Sequence, residues 1–114
     1  MGYRSELVIG ITAKTRLKAM LGNGLPKELL DADSTLIIEK EGVENLYLFY
    51  MDQRKWYASY HGVQECMSFL EEIEEEDYVF VCIGEEPDDV TIAGNPDRFD
   101  VAVRTENWIE SPFD

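Results

Sequence analysis

The chain is 114 residues long, 45% hydrophobic and 11% aromatic, with a formal net charge of -14. Such a length suits one domain burying about two thirds of its unfolded surface, and the apolar content excludes global disorder despite the charge. Residues 1–57 balance eight acids against eight bases, whereas residues 58–114 set sixteen acids against only Arg98 and Arg104, so that half is a poor direct ligand for nucleic acid or an anionic membrane.

MGYRSELVIG lacks the basic and long apolar regions of a signal peptide, and no apolar run approaches the roughly 18 residues of a membrane span, so a cytoplasmic location is expected. Glu6 stands where a myristoylation signal after Gly2 requires Ser or Thr.

SELVIGITA, residues 5–13, is rich in β-branched residues and reads as a largely buried first strand. KTRLKAMLGNG follows as a short basic helix capped by Thr12 or Thr15. Leu17, Met20 and Leu21 supply its apolar stripe, the face a helix normally buries, and Gly22-Asn23-Gly24 stops it. LPKELLDAD is a further helical turn with Pro26 at its first position. STLIIEK and NLYLFYMD are strands joined by EGVE and paired antiparallel. After RKWYASYHG, VQECMSFLEEIEEE places Val63, Cys66, Met67, Leu70 and Ile73 at helical spacing and predicts a helix over 63–76.

YVFVCIG reads as a central strand, EEPDD as a turn, VTIAG as a short strand and NPD as another turn. In FDVAVRT, Phe99, Val101 and Val103 alternate with Asp100, Ala102 and Arg104, which predicts a last strand with one exposed face. NWIESPFD is a tail, partly ordered over 106–114, in which Trp108 and Ile109 can fold back onto the body. The whole order predicts a single α+β domain over 1–114, with two main helices on one face of an antiparallel or mixed sheet of four to five strands. The ferredoxin-like arrangement is one form of this.

The densest charge lies in LEEIEEEDYVFVCIGEEPDD, residues 70–89, with ten acids and no base. On a helix running to 76, Glu71, Glu72, Glu74, Glu75 and Glu76 would crowd the C-terminal end, where the macrodipole favours cations. Glu71 with Glu75 and Glu72 with Glu76 would each repel by roughly a few tenths of a kcal/mol. The strand between would set Glu85, Glu86, Asp88 and Asp89 at the far end of the sheet from Glu74, Glu75, Glu76 and Asp77, about 23 Å away. Asp97, Asp100, Glu106 and Glu110 would fill the stripe between. Duplex DNA carries about one charge per 1.7 Å of axis, so such a stripe could compete for a phosphate-binding groove. The plain alternative is solvated surface that keeps the chain dispersed. Trp56, Tyr57 and Tyr60 stand beside the charge as contact residues for a partner, or as plugs for the end of the core.

Other chemistry finds little support. Cys66 and Cys82 fit buried thiols better than a bridge, and one His with two cysteines gives no metal spacing. His61 and Cys66, five apart, turn away from each other on a helix, against a nucleophilic pair. GEEPDD lacks the spacing of an EF-hand loop, and LGNGLP opens no phosphate loop. The chain reads as a non-enzyme without cofactor or metal.

GYRSE at 2–6, KWYASYHGV at 55–63, FLEE at 69–72, EEDYVFVCIGEEPDDV at 75–90 and FDVAVRT at 99–105 resemble a family of small, acidic, uncharacterised proteins encoded by tailed bacteriophages. Residues 14–45 take no part in the resemblance. It implies an accessory protein acting in the infected bacterial cytoplasm and carries no catalytic residue.

The expected function is that of an acidic binding protein that inhibits or redirects a basic host protein, one that handles nucleic acid in defence such as a nuclease, restriction or CRISPR effector, by imitating DNA charge. The alternative is a structural or self-assembling accessory protein, with strands such as NLYLFYMD or FDVAVRT pairing between protomers of a homodimer.

Overall fold

The computed structural model describes residues 4–85, 89–103 and 109–113. Strand β1 (Ser5–Thr12) is followed by helix α1 (Ala13–Leu21), the short helix α2 (Lys27–Leu30), strands β2 (Ser34–Ile38) and β3 (Leu46–Arg54), helix α3 (His61–Glu71), and strands β4 (Tyr78–Ile83) and β5 (Val90–Gly94). One antiparallel sheet has the order β2-β3-β1-β4-β5. Its first four strands have the order and directions of a ferredoxin-like split βαβ unit, and β5 is added at one edge by a hairpin. A second, two-stranded ladder pairs β6 (Ala102–Val103) with β7 (Ile109–Glu110).

The near-continuous apolar run of β1 follows from its central place, because both of its faces are covered. Leu7, Ile9 and Ile11 point to the helical side, where they meet Leu29, Cys66 and Leu70. Val8 and its neighbours Leu48, Val79 and Val81 point to the opposite side, where Phe99, Val101 and Ile109 lie on them. The expected helices on one face are present. The second face is closed by the chain after β5.

That closure corrects the reading of FDVAVRT. Phe99 ends a 3-10 turn over Asp97–Phe99, and among the described residues of this segment only Ala102–Val103 form a strand. Its described part lies across the sheet and is not an added strand of it. Phe99 packs so closely over Gly10 that a Cβ there would stand 2.6 Å from the ring. Ile109 does fold back, 7% exposed. Arg104, Glu106 and Trp108 lie outside the described residues.

Helix α1 starts as its sequence predicts. The Thr12 hydroxyl accepts from Thr15 N at 3.3 Å, Ala13 N donates to Asn45 O, and Lys14 N donates to Glu44 Oε2 at 2.5 Å, so the first-turn donors are satisfied. Its apolar stripe, however, faces outward: Leu17, Met20 and Leu21 are 60%, 54% and 81% exposed. The inward positions belong to Thr15, buried and bonded to the Thr12 hydroxyl, and to half-buried Ala19. Small residues on that face let the helix sit close to the sheet.

Helix α3 is shorter than the 63–76 expected. It ends at Glu71, and Glu72 and Ile73 tighten onto Phe69 O and Leu70 O. Ile73 is thereby turned onto the helix-side core, Glu74 is extended, and Glu75–Asp77 form a 3-10 turn. The repelling pairs Glu71/Glu75 and Glu72/Glu76 therefore do not share a helix face. Ending the helix here takes the last three glutamates off an axis whose C-terminal dipole would oppose them.

Candidate functional site

The acid run 70–89 is held at both ends of β4. At the Tyr78 end, Glu74, Glu75 and Glu76 are exposed and line a shallow hollow with Gly94 and Asn95, where β5 finishes. Among the described residues, none of these three glutamates is in a salt bridge. At the Ile83 end, Glu85 accepts from Arg4 N at 2.7 Å and Asp89 opens β5. Glu86 and Asp88 fall outside the described residues.

Asp77 leaves the group of partner-facing acids. Its carboxylate is 6% exposed, with Lys14 Nζ at 3.2 Å and Arg98 Nη1 at 3.1 Å. Arg98 also reaches Glu44 at 3.4 Å and donates to Glu76 O. This network ties the start of α1, the β2–β3 connection, the turn before β4 and the turn after β5. A buried carboxylate needs such cations to offset its lost hydration. The side-chain hydrogen bond to Asp77 holds the Lys14 ammonium above its ordinary value. Residue type alone cannot separate Asp77 from the glutamates before it; the signal was its place at the threshold of a buried strand.

Carboxylates from the two halves of the acid run share one cleft. Between α3 and the β4–β5 hairpin lies a hollow of about 500 Å³ with Trp56, Val63, Met67, Phe80 and Cys82 as its apolar lining, and with Glu71 and Asp89 both at its wall. Trp56 is half-buried against Phe80, with ring centroids 6.4 Å apart. Of the three expected aromatic contacts it alone lines the cleft. Tyr57 and Tyr60 pack edge to face at 5.1 Å before α3. Glu72 faces the other way, into a hollow of about 630 Å³ that α3 shares with the α1–α2 connection, where Asn23, Lys27 and His61 stand beside Leu25, Pro26 and Phe69.

The sequence missed Phe80, Met67 and Cys82 as cleft residues. Phe80 and Cys82 alternate on the helical face of β4, and Met67 stands one turn from Val63, so the signal was present in the two periodicities taken together. Burial pushes the Cys66 thiol up to about 12 and raises that of Cys82. His61 is exposed and bonds Glu65 at 2.8 Å, on a different face of α3 from buried Cys66. Among the described residues there is no cluster of three or more His, Cys, Asp or Glu side chains able to hold a metal ion, and no helix long and apolar enough to cross a membrane.

An apolar hollow with carboxylates at its wall can desolvate an apolar or aromatic side chain while attracting cations beside it. No protein-family model, curated protein or solved structure matches the chain.

Proposed function

We propose that the chain is a phage-encoded acidic binding protein, acting in the bacterial cytoplasm, that occupies a basic surface of a host protein and so inhibits or redirects it. A host factor that binds nucleic acid is the favoured target, because its phosphate-binding groove is already shaped for a row of negative charge. The observation that carries this reading is the cleft walled by Glu71 and Asp89 over Trp56 and Phe80. It supplies contact area and charge at one place, the two things a steered and lasting encounter needs. The exposed glutamates 74–76 extend the charge toward the far end of β4.

The test is capture from host lysate, identification of the bound protein, and titration of the purified pair against salt and duplex DNA. A basic partner should bind more weakly as salt rises, should be competed by DNA, and should lose at least about tenfold in affinity when Glu71, Glu74, Glu75 and Asp89 are reversed to Lys. Unchanged affinity in that variant would overturn the mechanism.

The outward stripe of α1 favours a second reading, self-assembly, since three adjacent exposed large apolar residues on one helix mark a contact surface. β3 lies inside the sheet and Ala102–Val103 lie outside it, so neither strand first expected to pair between protomers is an edge of that sheet. Light scattering decides: a dimer that persists at high salt and dissolves when Leu17 and Leu21 become Gln would establish this reading in place of the first.

A further inference from the structure

Strand β5 is an edge of the sheet, and its backbone register tells which groups are open. Gly84 N donates to Asp89 O and Asn95 N donates to Tyr78 O, each at 2.8 Å. Antiparallel pairing alternates, so Thr91 and Ala93 are bonded to β4 while the extended residues Val90 and Ile92 turn their N–H and C=O groups away from it, to the edge; Gly94, at φ +82, leaves the extended conformation and ends the strand. Edge strands are commonly blunted by Lys, Pro or a bulge. VTIAG has none of these residues, its ladder to β4 runs without a register shift, and Ile92 is 50% exposed beside it.

Charge brackets this neutral stretch. Asp89 precedes it, sharing the cleft wall with Glu71, and the Glu74–Glu76 hollow adjoins Gly94 at its end. A second copy is the wrong occupant: antiparallel pairing of β5 with itself would set each Asp89 beside the other copy's glutamate hollow. The opposite edge, β2, is not equivalent, because Asp33 at its start is engaged by Arg54 at 3.3 Å.

We infer that β5 receives an extended basic segment of the partner as a sixth strand, with cations about six residues, or roughly 20 Å, apart on either side of a β-branched stretch. This rests on the reading of the chain as an acidic binding protein. One face of the added strand would pack on Ile92. The other would overhang the mouth of the Trp56 cleft beside Thr91.

The probe is the blocked peptide Arg-Lys-Val-Thr-Val-Thr-Val-Lys-Arg, with two twins N-methylated at alternate residues in opposite parity. Titrated at low salt, the parent should bind, one twin should bind about tenfold more weakly than the other through loss of its strand hydrogen bonds, and amide exchange at Val90 and Ile92 should slow. Ile92→Pro, which removes an edge-facing N–H as well as the Ile92 side chain, should weaken binding more than Ile92→Ala, which keeps the N–H, with the circular dichroism spectrum unchanged. Equal binding by both twins, and by Ile92→Pro and Ile92→Ala, with shifts centred on Glu74–Glu76, would overturn the strand addition and leave the acidic-surface reading standing. No binding by any of the cationic peptides would overturn both.

Discussion

The guanidinium of Arg98 lies 3.1 Å from the carboxylate of Asp77, which is 6% exposed, so an acid from the most negative stretch of the chain serves as a structural anchor. Removing one partner of a buried pair leaves the other poorly solvated. Asp77→Asn and Arg98→Leu should each lower stability by about 1–3 kcal/mol, read as a shift of the urea midpoint. Asp77→Asn should leave affinity for a basic partner within about twofold of wild type, since rim contacts and not buried anchors carry steering. A tenfold loss of affinity would return Asp77 to the binding surface.

The ring of Phe99 occupies the space a side chain at position 10 would fill, with Leu48 also within 2.9 Å of that point. Gly10→Ala should therefore cost about 1–3 kcal/mol by overpacking, and Phe99→Ala about 3–5 kcal/mol by opening a cavity. The double variant should be more stable than the two losses added together, because removing the ring removes the clash. Strict additivity in denaturation would show that Phe99 and Gly10 are not coupled.

Where the sequence was legible, local pattern and tertiary demand agreed. The β-branched core of SELVIGITA became the central strand, and the antiparallel pairing of STLIIEK with NLYLFYMD is that of β2 and β3. It misled where tertiary packing outweighed period. Leu17, Met20 and Leu21 have helical spacing, yet Thr15 and Ala19 face the sheet. Phe99, Val101 and Val103 alternate like a strand, yet they cap a sheet face. The candidate site was half legible: the acids could be counted, but that Glu71 and Asp89 wall one cleft while Asp77 is withdrawn depends on how β4 and α3 dock, which no local pattern encodes.

The pH dependence of stability should have two limbs with known owners. The hydrogen bond from Asp52 N, followed by the charge of Arg54, holds Asp33 below its ordinary value of 3.8. Its contribution is complete above that value and is lost as pH falls through the lower folded-state value. Lys14 is held above 10.5 by Asp77, so its contribution is complete below 10.5 and is lost as pH rises through the higher value. Urea midpoints should show Asp33→Asn flattening the acid limb and Lys14→Met the alkaline limb. Wild-type slopes in either variant would remove that residue from the account.

The two thiols should be told apart by alkylation. Cys66 is fully buried in the helix-side core and burial pushes its thiol up to about 12, so it is held as the unreactive thiol at pH 8. Cys82 is raised as well, first by burial, but is only half-buried and lines the cleft. With iodoacetamide on the native protein, peptide mass spectrometry should find Cys82 modified slowly and Cys66 not at all. Both should react at the rate of a free thiol in guanidinium. Because Cys82 lies beside Trp56 and Phe80 in the cleft, a basic peptide seated there should slow its labelling at low salt and lose that protection at high salt. Labelling of Cys82 that is indifferent to such a peptide would place the bound peptide elsewhere than the cleft.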